Sequence, residues 1–277
     1  GAGVLVALID TVMAVRAGSL GRLKRIALWD LALPAAIAGL VLFLEPGKLP
    51  LWVQVGLALA IVIPLGPLIY RLAYQPLAEA SVLVLLIVSV AVHLTLVGLG
   101  LLFFGAEGSR TTPFSEAQFN LGMLTVNGQT LWVLGASGVL IVALYLFFGR
   151  SLYGKALRAT AINRVGARLM GISTTMAGKL SFTLAAGIGA LSGILIAPIT
   201  TVYYDTGFLV GLKGFVAAII AGLVSYPLAA AGAILVGLLE AFSSFWASAF
   251  KEVIVFTLII PVLLWRSLTS HHVEEEE

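Results

Sequence analysis

GRSLYGKALRATAINRVGARLMGISTTMAGK, Gly149 to Lys179, is the stretch whose reading decides how this chain is built. It holds six of the sixteen basic residues, Arg150, Lys155, Arg158, Arg164, Arg168 and Lys179, and no acid at all. Long apolar runs flank it on both sides. A basic loop between two membrane spans stays on the cytoplasmic side, because Lys and Arg resist translocation. The rest of the chain can be oriented from that one assignment.

Composition points the same way. The 277 residues are 60% hydrophobic and 10% charged, with a mean hydropathy of +1.10. A soluble domain would carry about a quarter charged residues. The charges here cluster between apolar runs long enough to cross a bilayer, about 20 residues each. The expected fold is all-α, a polytopic transmembrane helical bundle. The net charge of +3 belongs to the loops and gives no reason to invoke nucleic acid. With no cysteine, disulfides, thiolate metal sites and Cys nucleophiles are excluded. The opening GAGVLV lacks the basic start of a signal peptide. We expect a fragment or a processed start, with spans missing upstream of Gly1.

Toward the N-terminus, Leu131 to Phe148 leads into the basic loop. Gly105 to Thr130 is a second polar loop, with two acids against one base. It reads as external, with a small hairpin signalled by Pro113 and Asn127-Gly128. Ser81 to Phe104 and Leu51 to Tyr70 read as spans, joined on the inside by Arg71 to Ala80. Glu45 to Pro50 is an outer turn, and Ile26 to Leu44 is a span with Asp30 near its inner end. RAGSLGRLKR, Arg16 to Arg25, carries four basic residues and no acid, so it too falls inside. Gly3 to Val15, with Asp10, reads as the end of an earlier span.

Beyond the loop, Leu180 to Tyr204 leaves the cytoplasm, and Asp205 to Gly211 is expected as a brief external turn. Gly189 and Gly193 form a small-xxx-small pair that would let helix backbones approach closely. Gly214 to Val224 is only a half-span, broken by Ser225-Tyr226-Pro227 before an apolar run to Trp246. Such a break suits a discontinuous or re-entrant helix. Val253 to Trp265 is the last expected span. The count comes to about seven to eight spans, one of them broken. Residues 268–277 read as a solvated tail, with His271 and His272 in water rather than on a metal.

Little in this chain suggests catalysis. GFLVGLKG, from Gly207, has the wrong spacing for a phosphate-binding loop and no Ser or Thr after its lysine. No Ser-His-Asp or paired-carboxylate arrangement stands out, so the chain reads as a non-enzyme with no bound cofactor. Within the basic loop, Ile162, Val165 and Leu169 share one helical face, while Arg164 and Arg168 lie four apart on another. Gly171 fits a helix C-cap. The residues alone allow a basic helix resting on anionic headgroups or a docking helix for a soluble partner.

ALRATAINRVGARLMGIS, Ala156 to Ser173, closely resembles the cytoplasmic coupling segment of permease subunits of branched-chain amino acid ABC importers. The resemblance continues through FTLAAGIGALSGILIAP (Phe182 to Pro198), GFLVGLKGFVAAIIAGL (Gly207 to Leu223) and GLLEAF (Gly237 to Phe242). YRLAYQPL, Tyr70 to Leu77, is similar to an earlier loop of the same family. The family's opening Asn-Phe-Ala-His-Gly stretch is absent here.

The resemblance implies a single transmembrane permease domain over 1–277, multi-pass in a bacterial-type inner membrane. It implies as partners a second permease, homologous or identical, two cytoplasmic ATPase subunits that use the ATP, and an external solute-binding protein. Residues 149–179 would be the coupling loop, with Ala156, Leu157, Arg158, Asn163, Arg164, Ala167, Arg168, Gly171 and Ile172 at the ATPase. His93, Lys213 and Glu240 are the pathway candidates, because ionisable groups at membrane depth are expensive. Lys213 is a possible partner for Glu240, and either residue also has a structural reading. The alternatives are an importer of an amide, urea or other small solute, or a stand-alone channel or secondary transporter. The last would carry internal inverted repeats, and none is evident.

Overall fold

The computed structural model describes residues 46–121, 124–222 and 225–269, together with Gly39. The expectations for the inner basic stretch at 16–25, the span Ile26 to Leu44, Asp10 and Asp30 lie outside the described residues. So do residues 270–277 of the expected tail. Of that tail, Leu268 and Thr269 instead close the last helix.

The described chain is helical apart from one hairpin. Helices α1 (Leu51–Val62) and α2 (Leu65–Ile69) run on through a π turn, Tyr70–Tyr74, as one 24-residue membrane-length unit. Helix α3 (Val82–Phe104) is followed by strands β1 (Gln118–Leu121) and β2 (Leu124–Asn127). Then come α4 (Gly128–Arg150), α5 (Leu152–Ile162), α6 (Arg164–Leu169) and α7 (Thr174–Ile196). The remainder is α8 (Thr206–Ile220), α9 (Tyr226–Trp246), α10 (Lys251–Thr257) and α11 (Ile259–Thr269). Among the described residues, five helical stretches are long and apolar enough to cross a membrane, and α8 is a shorter apolar helix. The most apolar stretches of α3 and α4 contain no buried residue.

Four boundaries differ from the sequence expectation, each for a local reason. Asn127-Gly128 is not the hairpin turn. Asn127 pairs with Gln118 in the β1–β2 ladder, and Gly128 opens α4 while its N–H donates to Ala117 O at 2.7 Å. Helix α7 begins six residues before Leu180, because the Ser173 hydroxyl caps it by accepting from Met176 N at 3.3 Å. Lys179 is tolerated two turns in, where a long stem can carry its charge toward water. The stretch Asp205 to Gly211 is mostly helix rather than an external turn, since α8 starts at Thr206. The last expected span is two short helices meeting at Leu258, next to Pro261, which has no N–H to give to Thr257. The break between α8 and α9 is as expected. Gly222 takes a left-handed φ of 75° after α8, and Pro227 lies in the first turn of α9.

The described residues form two compact units, 46–133 with 150–202, and 134–149 with 203–269. In the first, α2 crosses α7 with almost no side-chain spacer. A Cβ at Gly66 would run into the Phe182 carbonyl, and one at Gly178 into the Tyr70 ring. Tyr70 is buried there, with its ring 5.4 Å from that of Phe182. At the opposite end of α7, Gln129 accepts from Phe114 N and donates to Leu195 O, both at 2.9 Å. Arg110 donates to Pro198 O and Ile199 O at 3.1 and 2.9 Å. Loops that charge alone places on one side of the membrane therefore meet at one end of this unit. In the second unit, α8 packs on α9 around Val216, Ala217, Val236 and Val255. A Cβ at Gly232 would lie 2.7 Å from Ala217 O, so glycine sets the closeness of that crossing.

Candidate functional site

The basic stretch is two helices at an angle rather than one. Asn163 takes an extended conformation, φ −145° and ψ 102°, closing α5 and starting α6. Its Oδ1 accepts from Gly166 N at 2.7 Å, satisfying one of the free donors at the start of α6. Ser151 does the same for α5, accepting from Gly154 N at 2.9 Å. Helix α6 ends in a Schellman motif. Gly171 has φ 80°, its N–H donates to Arg168 O at 3.0 Å, and Ile172 N donates to Ala167 O at 2.9 Å. The expected C-cap is thus in place, but Ile162 belongs to the helix before the break and does not share α6 with Val165 and Leu169.

The proposed coupling residues divide by exposure. Leu157 and Ala167 are buried and fix the two helices to the rest of the unit, with Ala156 and Ile172 partly buried beside them. Arg158, Asn163 and Gly171 are exposed. Arg164 is partly buried and Arg168 half-exposed, and both reach back to the 75–80 connection. Arg164 donates to Ala78 O, and Arg168 donates to Glu79 Oε1 at 2.9 Å and to Thr174 Oγ1 at 3.2 Å. The two arginines therefore clamp α6 to the 75–80 connection ahead of α3. Around the α5–α6 break and the end of α6 the outward side chains are largely apolar: Ile162, Val165, Leu169 and Met170 are each at least 68% exposed. Exposed aliphatic side chains grouped in this way suit contact with a protein partner or with the membrane.

The second unit holds a separate charged site. Lys213 Nζ, on α8, donates to Glu240 Oε1 on α9 at 2.6 Å and to Glu252 Oε1 on α10 at 3.3 Å. The three side chains are 21%, 29% and 36% exposed. Glu252 Oε2 is buried without a hydrogen-bond partner among the described residues. Two of the three pathway candidates are thus one bonded pair. Its third member, Glu252, escaped sequence reasoning because nothing local marks a contact made 39 positions away. His93, the remaining candidate, lies midway along α3 in the first unit and is partly exposed. Among the described residues no set of His, Asp or Glu could hold a metal ion. Gly189 and Gly193 face nothing within 4 Å among those residues, and the close crossings fall at Gly66, Gly178 and Gly232.

The described residues thus build a helical membrane protein with a capped surface helix and few charges within its spans. Residues 4–263 match the family described as branched-chain amino acid transport system, permease component. The chain is 29% identical over 228 residues to the high-affinity branched-chain amino acid transport system permease protein BraD of Pseudomonas aeruginosa, covering 79% of this chain and 74% of that protein. It is 31% identical over 216 residues to the corresponding permease protein LivH of Escherichia coli K12, covering 75% and 70%. A probable LivH of Methanocaldococcus jannaschii is 28% identical over 190 residues, covering 66% and 60%. No solved structure matches significantly. The chain belongs to this permease family and is a multi-pass membrane transport protein.

Proposed function

We propose that this chain is the translocating permease subunit of an ATP-binding-cassette importer for branched-chain or related amino acids in the inner membrane. It works with a second permease, homologous or identical, two cytoplasmic ATPase subunits that hold the ATP, and an external solute-binding protein. The observation that carries this reading is the outward apolar set Ile162, Val165, Leu169 and Met170 on a helix pair clamped from behind by Arg164 and Arg168.

That arrangement suits force transfer. Helix α6 is closed at both ends by backbone and side-chain hydrogen bonds, so it moves as a piece. Its Schellman end leads through Ile172 and Ser173 directly into the membrane helix α7. The Arg164 and Arg168 contacts carry the same displacement to the 75–80 connection, and so to α3. A push from a docked ATPase would reach two membrane helices at once, as alternating access requires. Lys213, Glu240 and His93 remain candidates for the solute path, with Glu252 added to the first two.

Val165→Glu/Leu169→Glu places charge on the exposed surface without touching a buried residue. The ATPase subunits should then co-purify with the full chain at least about tenfold less well, as for loss of a central apolar anchor. Unchanged capture would remove the docking surface from the proposal. Wild-type chain that captures no ATPase, yet supports leucine uptake in vesicles without ATP, would favour a stand-alone transporter.

A further inference from the structure

At the far end of α7 from the α6 surface, the first unit holds a polar cavity of about 330 Å³. Small-molecule sites run from about 300 to 1,000 Å³. The walls are tied down on both sides. Ser109 and Val202 exchange backbone hydrogen bonds at 2.9 Å, and Thr111 N donates to Ala197 O at 3.4 Å, which fixes the loop against the end of α7. Opposite, the Gln129 side chain is buried, and its amide links Phe114 N to Leu195 O. Gln118 and Asn127, partners in the β1–β2 ladder, continue the polar wall. A cavity held in this way needs little ordering when a ligand enters.

Two opposite charges line this cavity without meeting. Arg110 uses Nε and Nη2 on Pro198 O and Ile199 O, which orients the guanidinium and leaves Nη1 out of both bonds. Glu116 lines the same cavity, and neither it nor Arg110 forms an ion pair among the described residues. A fixed cation and a carboxylate kept apart across one cavity complement a molecule that carries both charges. Arginine is also the side chain best suited to hold a carboxylate. Pro113, Pro198 and Ile199 add apolar wall between the polar groups.

We infer that this cavity binds a small zwitterionic amino acid. Its carboxylate lies on Arg110 and its ammonium on Glu116, with the aliphatic side chain against Pro198 and Ile199. Taking the zwitterion to be an amino acid rests on the importer reading above. Helix α7 is long enough to cross the membrane, so the cavity falls on the face away from the ATPase, where an importer meets its solute. Lys213 and its two carboxylates belong to the other unit and take no part.

The test is calorimetric binding of three probes to the full chain in nanodiscs: leucine, isocaproate, which lacks the ammonium, and isoamylamine, which lacks the carboxylate. Wild type should bind leucine at least about tenfold more tightly than either analogue, as loss of one charge-assisted hydrogen bond entails. Glu116→Gln should erase the preference over isocaproate and keep that over isoamylamine. Arg110→Gln should do the reverse. A wild type that binds no leucine, or variants that weaken all three probes equally or none of them, overturn the inference. ATPase capture is read on the same wild-type sample. Capture without leucine binding removes the cavity and leaves the importer reading standing. The crossed pattern without capture keeps the cavity and removes the importer reading instead. Should Arg110→Gln fail to fold, Glu116→Gln, at an exposed position, decides alone.

Discussion

The clamp behind α6 and the site joining α8, α9 and α10 use the same pairing of cation and carboxylate in opposite surroundings. Arg168 and Glu79 meet at 2.9 Å with their side chains 47% and 79% exposed, where water competes for every bond. Lys213 and Glu240 meet at 2.6 Å with far less exposure, on helices whose other residues are mostly apolar. Distance alone would rank the two pairs together, but solvation separates them. An exposed pair contributes about 0–1 kcal/mol and breaking a fully buried one from a single side costs about 3–5 kcal/mol; the partly buried Lys213 site falls between them. The clamp sets orientation at little energetic cost to whatever must move. The inner site holds three helices together, because any of its members left alone would carry an unpaired charge.

The largest expected effect comes from breaking the inner site on one side only. Lys213→Met leaves Glu240 and Glu252 facing each other without their cation and should destabilise the chain by about 2 kcal/mol, read as a lower thermal midpoint in nanodiscs. The all-neutral Lys213→Met/Glu240→Leu/Glu252→Gln variant should recover most of that loss, because no charge is then stranded. If Lys213→Met melts like wild type, water reaches the site and the contrast fails. Smaller is the effect of Asn163→Ala, which removes the cap of α6 and should cost about 1 kcal/mol. Faster backbone hydrogen exchange confined to 164–169 would check it, and unchanged exchange would mean that the clamp alone orders α6. The smallest effect belongs to Glu79→Gln, under about 1 kcal/mol and fading with added salt. A loss equal to that of Lys213→Met would reverse the ranking of the two sites.

Much of the fold was legible because membrane burial imposes simple rules. Apolar runs of span length, and polar intervals sorted by Lys and Arg, located the four helical stretches from Leu51 to Ile196 to within several residues. Gly171 could be assigned as a C-cap because α6 ends where glycine supplies a positive φ. The break near Ser225-Tyr226-Pro227 was legible from backbone chemistry too. The helix boundary at Asn163 was not. A continuous helical period runs through Ile162, Val165 and Leu169, and only the extended Asn163 separates the first from the others. Periodicity cannot register one residue that leaves the helix to cap the next.

The glycines mark a similar limit. Gly189 and Gly193 have the spacing of a packing motif, yet among the described residues the tight crossings use Gly66, Gly178 and Gly232. Which glycine touches a neighbour depends on how helices far apart in sequence are rotated against each other. By itself the sequence determined the class of protein, the four span-length stretches from Leu51 to Ile196 and the basic segment that marks a surface. Those follow from hydropathy, charge and motif, which are properties of neighbouring residues. Only the tertiary structure decided that Arg164 and Arg168 reach Ala78 and Glu79, or that Glu252 joins Lys213 and Glu240. Those contacts span 39 to 89 positions, and their partners are chosen by the packing of whole helices rather than by any local preference of the chain.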